Sequence, residues 1–170
     1  LMSAQPGFTR IASLKTPEAF RAHAASLGLD LPCDDAILVG GDSPLAHEAP
    51  AVCINGKVLR NRWAVHPMEG WDGTSSGGIT DDVVRRWQRF GESGAKLICG
   101  GEAMAVCPEG RANPRQLIIN EANQDGLARL CQVAREAHAR HEGQAEDLVI
   151  GFQLTHSGRF CRPEANAAPA

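Results

Sequence analysis

Only a few of the 170 residues have types and spacings that could do chemistry. His138 and His141 have the H-x-x-H spacing that puts two imidazoles on one helix face, as a metal pair requires. Both also stand near the end of a helical pattern, where the macrodipole favours a histidine without any metal. The second reading is the one adopted, and no metal is expected. The six cysteines (Cys33, Cys53, Cys99, Cys107, Cys131, Cys161) contain no C-x-x-C pair, so zinc, iron–sulfur and dithiol chemistry are not expected. Cys99 and Cys131 lie inside apolar patterns, which predicts small buried hydrophobes, and the six are expected as free thiols in a reducing compartment. Gly73-Thr74-Ser75-Ser76-Gly77-Gly78 lacks the lysine of a phosphate-cradling loop and reads as a flexible connection. Arg85, Arg86 and Arg89 surround Trp87, a pattern that nucleic-acid patches share with ordinary solvated helix faces; a solvated face is expected. Three short segments remain: Pro67-Met68-Glu69, Glu102-Ala103-Met104, and Gln153 to Arg159.

The elements before these segments decide where they lie. Thr16-Pro17-Glu18 is a capped helix start, followed at helical spacing by Phe20, Ala24 and Leu27 and stopped by Gly28. Val52 to Leu59 reads as a β-hairpin around Asn55-Gly56, the dipeptide that most readily takes positive φ in a tight turn. Trp63 to Met68 is a short strand with proline at its exit. Thr80-Asp81-Asp82 caps a helix with Val83, Val84, Trp87 and Phe90 on one stripe, and Lys96 to Gly101 is a buried strand. A loop from Ala105 to Asn120 leads to a helix from about Asn123 to His141, with Leu127, Leu130, Cys131, Ala134 and Ala137 facing inward. Asp147 to Leu154 is the third strand. Strand, helix, strand, helix, strand predicts a parallel sheet, with chemistry at the carboxyl ends of the strands. Those ends are the three segments above.

Composition narrows the classes further. With 17 Lys+Arg against 20 Asp+Glu the net charge is −3, which gives no general pull on phosphate backbones. Hydrophobic residues at 43% and charged residues at 22% suit a soluble globular protein. No apolar run approaches the ~18 residues that span a bilayer, and no charged start leads into an apolar stretch. A cytoplasmic protein is expected. The opening Leu1-Met2 and the loop-like close Pro163 to Ala170 are expected of a chain that continues at both ends.

Four groups of residues, in order, carry a family likeness. They are Asn61-Arg62 with Pro67-Met68; Gly94-Ala95-Lys96-Leu97-Ile98 running into Glu102-Ala103; Gly110-Arg111-Ala112-Asn113-Pro114; and Gln153-Leu154-Thr155-His156-Ser157-Gly158-Arg159. Together they resemble the old yellow enzyme (NADH:flavin oxidoreductase) family. The resemblance implies an α/β fold of the (β/α)₈ TIM-barrel type, N-terminal portion only. About three βα units would follow a β-hairpin and a helical arm, with the arm over 1–50 and the FMN-binding part of the barrel over 51–170. It also implies FMN as cofactor, NADH or NADPH as electron donor, and an enone-type alkene as acceptor.

By the same resemblance the cofactor-binding set is Pro67, Met68, Glu69, Ala103 and Gln153. The backbone at Pro67 and Met68 would lie against the flavin ring, Ala103 would bond it through the main chain, and Gln153 would reach its pyrimidine edge. Glu69 stands where family members commonly carry Cys or Thr. A carboxylate there would disfavour the anionic reduced flavin or else point into solvent. The family's substrate-binding His pair, Tyr proton donor and phosphate loops lie beyond the third strand, so no catalytic residue is assigned and the isolated chain is expected to bind FMN weakly or not at all. His156 and Arg159 are expected as loop-bonded residues, and Glu102 as a structural carboxylate paired with an arginine. The expected partner is a small-molecule substrate, with neither nucleic acid nor membrane, and with a homo-oligomer left open. The alternative is a catalytically inactive partial barrel that serves as an assembly partner.

Overall fold

The computed structural model describes residues 8–39, 43, 52–61 and 63–165, which fall into two compact units, Leu1–Ala46 and His47–Ala170. Arg62 of the family likeness, Leu1-Met2 and residues 166–170 lie outside the described residues.

The first unit holds helix α1, Pro17–Ser26. Its start follows from local chemistry. The Thr16 hydroxyl accepts the Ala19 N–H at 3.2 Å, Pro17 opens the first turn without needing a donor, and Glu18 faces the positive end of the dipole. Gly28, at φ +72°, ends it. Arg21 then reaches from the helix to the Cys33 carbonyl at 3.1 Å and to the Asp35 carboxylate.

The second unit begins with the hairpin β1 (Val52–Ile54) and β2 (Lys57–Leu59). Asn55 and Gly56 take φ +51° and +77°, the left-handed pair that a two-residue hairpin turn requires. The hairpin lies at the amino ends of the later strands: Lys57 donates to the Leu148 carbonyl at 3.4 Å, and Asn61 to the Gly94 carbonyl at 2.9 Å.

A parallel sheet follows, β3 (Ala64–Val65), β4 (Leu97–Ala105) and β5 (Val149–Thr155), in the order β3-β4-β5. Helix α2 (Asp81–Glu92) connects the first pair and α3 (Gln124–Glu142) the second. Thr80 caps α2 by accepting the Val83 N–H at 3.4 Å, and Gly143 at φ +80° ends α3. Both helices cover the same face of the sheet. Val83 and Trp87 of α2, Leu127, Leu130 and Ala134 of α3, Ile98 and Met104 of β4, and Leu117 and Leu148 form one buried cluster. Each fully buried large side chain contributes about 1.5–3 kcal/mol. Trp87 packs edge-on against Phe90 and Phe152, with ring centroids 5.9 and 5.6 Å apart.

Two expectations are corrected by this fold. The described residues form no TIM barrel: they hold three α-helices, a two-stranded antiparallel sheet and an open three-stranded parallel sheet, with no eight-unit repeat. Closing a barrel takes about eight tilted, staggered strands; three leave β3 and β5 as edges unpaired among the described residues. Cys99 is exposed rather than buried. It alternates with Ile98 onto the sheet face that neither helix covers, beside exposed Gly151. His138 lies near the C-terminal end of α3 and is fully buried, with Nδ1 3.0 Å from the Gly91 carbonyl. All six cysteines are free thiols. No helix among the described residues is long and apolar enough to cross a membrane.

Candidate functional site

The carboxyl ends of the three strands meet at an irregularity in β4. Its pairing with β5 runs in register to Gly100↔Phe152 and resumes at Ala103↔Gln153, so Gly101 and Glu102 bulge out of the ladder. Glycine is needed at the bend. Gly100 has φ +86°, and a Cβ there would stand 2.9 Å from both the Pro67 Cβ and the Gln153 nitrogen. The missing side chain is therefore what lets β3 and β5 approach each other across the end of β4. Paired glycines inside an apolar strand are the sequence signal that could have revealed this bulge.

The bulge sends Ala103 and Glu102 to different tasks. Ala103 donates its N–H to the Met68 carbonyl at 3.1 Å, and its carbonyl accepts from Gln116 at 2.7 Å. Glu102 turns toward α2, where Oε1 accepts the Gly70 N–H at 2.7 Å and Oε2 accepts from Arg86 at 2.5 Å. The other arm of Arg86 binds Asp72. One guanidinium thus serves two carboxylates. Burial raises the Glu102 carboxyl above its ordinary range, and Arg86 and the Gly70 N–H only partly draw it back. Burial lowers Arg86 as well, but its two carboxylate partners outweigh that and leave it raised. The expected solvated face therefore needs a correction at Arg86, which is half-buried and doubly paired; Arg85 does lie exposed, bridged to Asp82 at 3.0 Å.

Most of the residues expected at the site gather on one side of this bulge. Pro67 is half-buried, Met68 is 73% exposed, and Glu69 is exposed. Ala103 is 1% exposed, and Gln153, opposite it, is exposed with no hydrogen bond from its amide among the described residues. Pro67, Met68, Ala103 and Gln153 are thus brought to one rim, while the Glu69 side chain faces solvent. His156 is not aimed at a reactive partner: Nδ1 accepts the Gly158 N–H at 3.1 Å, with Cys161 Sγ at 3.9 Å. Arg159 stacks over Phe160 at 4.8 Å.

Arg111 has no role in the sequence reading beyond its place in the family likeness, yet it is a buried hub. Its guanidinium donates to the carbonyls of Ser75, Pro108, Pro114 and Pro163 at 2.8–3.2 Å, tying together the loops after all three strands. Asn113, fully buried, donates to the Gly70 carbonyl at 3.0 Å.

This rim fits a flavin ring in kind. Met68 is a soft polarizable side chain and the Gln153 amide has an unused donor and acceptor, whereas Ala103 is buried and the main-chain groups expected to bond the ring are already engaged by Met68 and Gln116. Among the described residues no group of His, Cys, Asp and Glu could hold a metal ion. A depression of about 430 Å³ lies elsewhere, between Phe152 and the start of α3, lined by Ile119, Leu127 and Ala128 with Glu121 and Gln124 at its edge. It carries none of the strand-end residues.

No protein-family model matches the chain, and no curated protein does. Among solved structures, 2-naphthoyl-CoA reductase in complex with 2-naphthoyl-CoA superposes with a TM-score of 0.58 at 13% identity, covering 69% of this chain. The likeness is one of fold. The chain spans 16% of that protein's length.

Proposed function

We propose that this chain carries the strand-end part of an FMN-dependent oxidoreductase that uses NADH or NADPH to reduce an alkene activated by a conjugated carbonyl. The observation that supports it most is the convergence of Pro67, Met68, Ala103 and Gln153 on one rim, made possible by Gly100. The fold shared with a reductase favours the same reading, and the aromatic acyl thioester in that structure is itself a conjugated carbonyl compound. Bound FMN would supply hydride chemistry between nicotinamide and alkene. This chain's residues would do the holding: Met68 as a wall and Gln153 as the donor–acceptor pair at the ring edge, with the buried Ala103 N–H fixing the Met68 carbonyl beneath them. The contacts for the phosphate end of FMN and for the acceptor are assigned to residues outside this rim. The substrate is a small molecule, and the proposed compartment is the cytoplasm.

The isolated chain is therefore expected to bind FMN weakly, with a dissociation constant of roughly 0.1–1 mM, about 4–5.5 kcal/mol. Titrating FMN into the ¹⁵N-labelled chain should give saturable shifts at the Met68 and Ala103 amides and the Gln153 side chain. FMN shifts that saturate at other residues while all three stay silent sink the flavin reading. One observation favours the alternative of an inactive assembly partner, namely the unpaired β3 and β5 edges beside an uncovered sheet face. A colourless oligomer that ignores FMN would select it.

A further inference from the structure

The flavin reading gives no role to Glu102 and Arg86, although they adjoin the rim. Glu102 is 1% exposed and holds the Gly70 N–H at 2.7 Å, while its neighbour Ala103 holds the Met68 carbonyl at 3.1 Å. No peptide bond among the described residues is cis, and a trans peptide points its N–H and C=O in opposite directions. Tying down the Met68 carbonyl and the Gly70 N–H therefore turns the N–H and C=O of Glu69 away from β4. Neither Glu69 group has an internal partner among the described residues. The fit is close: a Cβ on Gly70 would overlap the Glu102 carboxylate and lie 2.8 Å from Arg86 Nη2.

We propose that Glu102, braced by Arg86, is the positioning residue of the strand-end rim: it fixes the Gly70 N–H and so sets the direction in which the Glu69 peptide groups face a ligand. The charge matters because an ionised acceptor holds an N–H about twice as strongly as a neutral one. The geometry stands by itself; its purpose rests on the flavin reading.

The test uses the full ¹⁵N-labelled chain with two variants. Glu102→Gln keeps an acceptor but sets an amide NH₂ against the guanidinium. Arg86→Lys keeps the charge but cannot span Asp72 and Glu102. Amide exchange at Gly70 should quicken at least tenfold in both variants, with displaced Glu69 and Ala103 amide shifts and cooperative melting retained. In the wild type the Gly70 amide should titrate with a single carboxyl whose midpoint lies above the ordinary range, and Glu102→Gln should abolish that titration. A group that only filled space would show no such titration. Unchanged Gly70 exchange and Glu69 shifts in both variants overturn the proposal, and should Glu102→Gln not fold, Arg86→Lys decides alone. FMN separates the two readings. A wild type whose FMN shifts miss the rim while Gly70 titrates overturns the flavin reading and upholds the positioning. FMN responses that are identical in wild type and variants overturn the positioning and leave the flavin.

Discussion

The ammonium of Lys96 sits 3.1 Å from Nε2 of His138, and both side chains are closed off from water. The Gly91 carbonyl 3.0 Å from Nδ1 can only accept, so Nδ1 carries the proton and Nε2 receives one of the three Lys96 donors. Glu142 accepts a second at 3.0 Å, and the buried Asp147 carboxylate lies 3.2 Å from the ammonium as an ion pair without a hydrogen bond. One lysine thus joins the start of β4 to α3 and to the approach to β5. Replacing Lys96 by Met leaves the buried Asp147 carboxylate only the more distant Arg60 at 3.9 Å and His138 at 3.8 Å, and should cost about 3–5 kcal/mol in urea unfolding. Adding Asp147→Asn should recover part of that loss. A double variant no more stable than the single one would show that the two residues are not coupled.

Gly91 should reverse a familiar sign. An alanine in place of glycine inside a helix normally stabilises by about 1 kcal/mol. At Gly91 a Cβ would overlap the Ala134 carbonyl and stand 2.9 Å from the Ala137 Cβ, where α2 crosses α3. Gly91→Ala should instead destabilise by about 1–3 kcal/mol, the cost of overpacking. A thermal midpoint at or above that of the wild type would mean that the two helices leave room for a methyl group at their crossing.

Two glycines of the sheet should respond differently. Gly100→Ala forces a side chain into a left-handed conformation, about 1–2 kcal/mol, and against Pro67 and Gln153 as well. Gly151, one pair earlier on β5, has no left-handed backbone, and a methyl group added there would meet nothing within 4 Å. Gly151→Ala should be close to neutral. Equal losses from the two changes, read by denaturant unfolding, would mean that the bulge does not hold the rim together.

Acid should act on two carboxylates with opposite signs. Glu142 is lowered from 4.5, first by His141 and then by Lys96, so its contribution is present above 4.5 and is lost as the pH falls through its folded value. Glu102 is raised from 4.5 by burial, so the native state holds its proton longer than the unfolded chain. Its contribution is present below 4.5 and is lost as the pH rises through its folded value. The stability advantage of wild type over Glu142→Gln should therefore shrink on acidification, while that over Glu102→Gln grows. Parallel pH profiles for the two variants would contradict both assignments.

The sequence alone determined the elements whose signals are local. Thr16-Pro17, Asn55-Gly56, Thr80-Asp81 and Glu142-Gly143 mark starts, turns and stops within a few residues, because caps and turns are decided by neighbouring backbone groups. The inward stripes of α2 and α3 were legible for the same reason, since helical period is a local property. Tertiary structure decided what periodicity cannot encode. Which sheet face the helices cover put Cys99 in solvent, and three strands left the sheet open where a barrel was expected. The partners of Glu102 and Lys96 stand 16 and 46 residues away, on helices whose register over β4 is set by packing around Trp87. A buried charge takes its partner from whatever the fold brings within about 3 Å, and that distance is written in no local pattern.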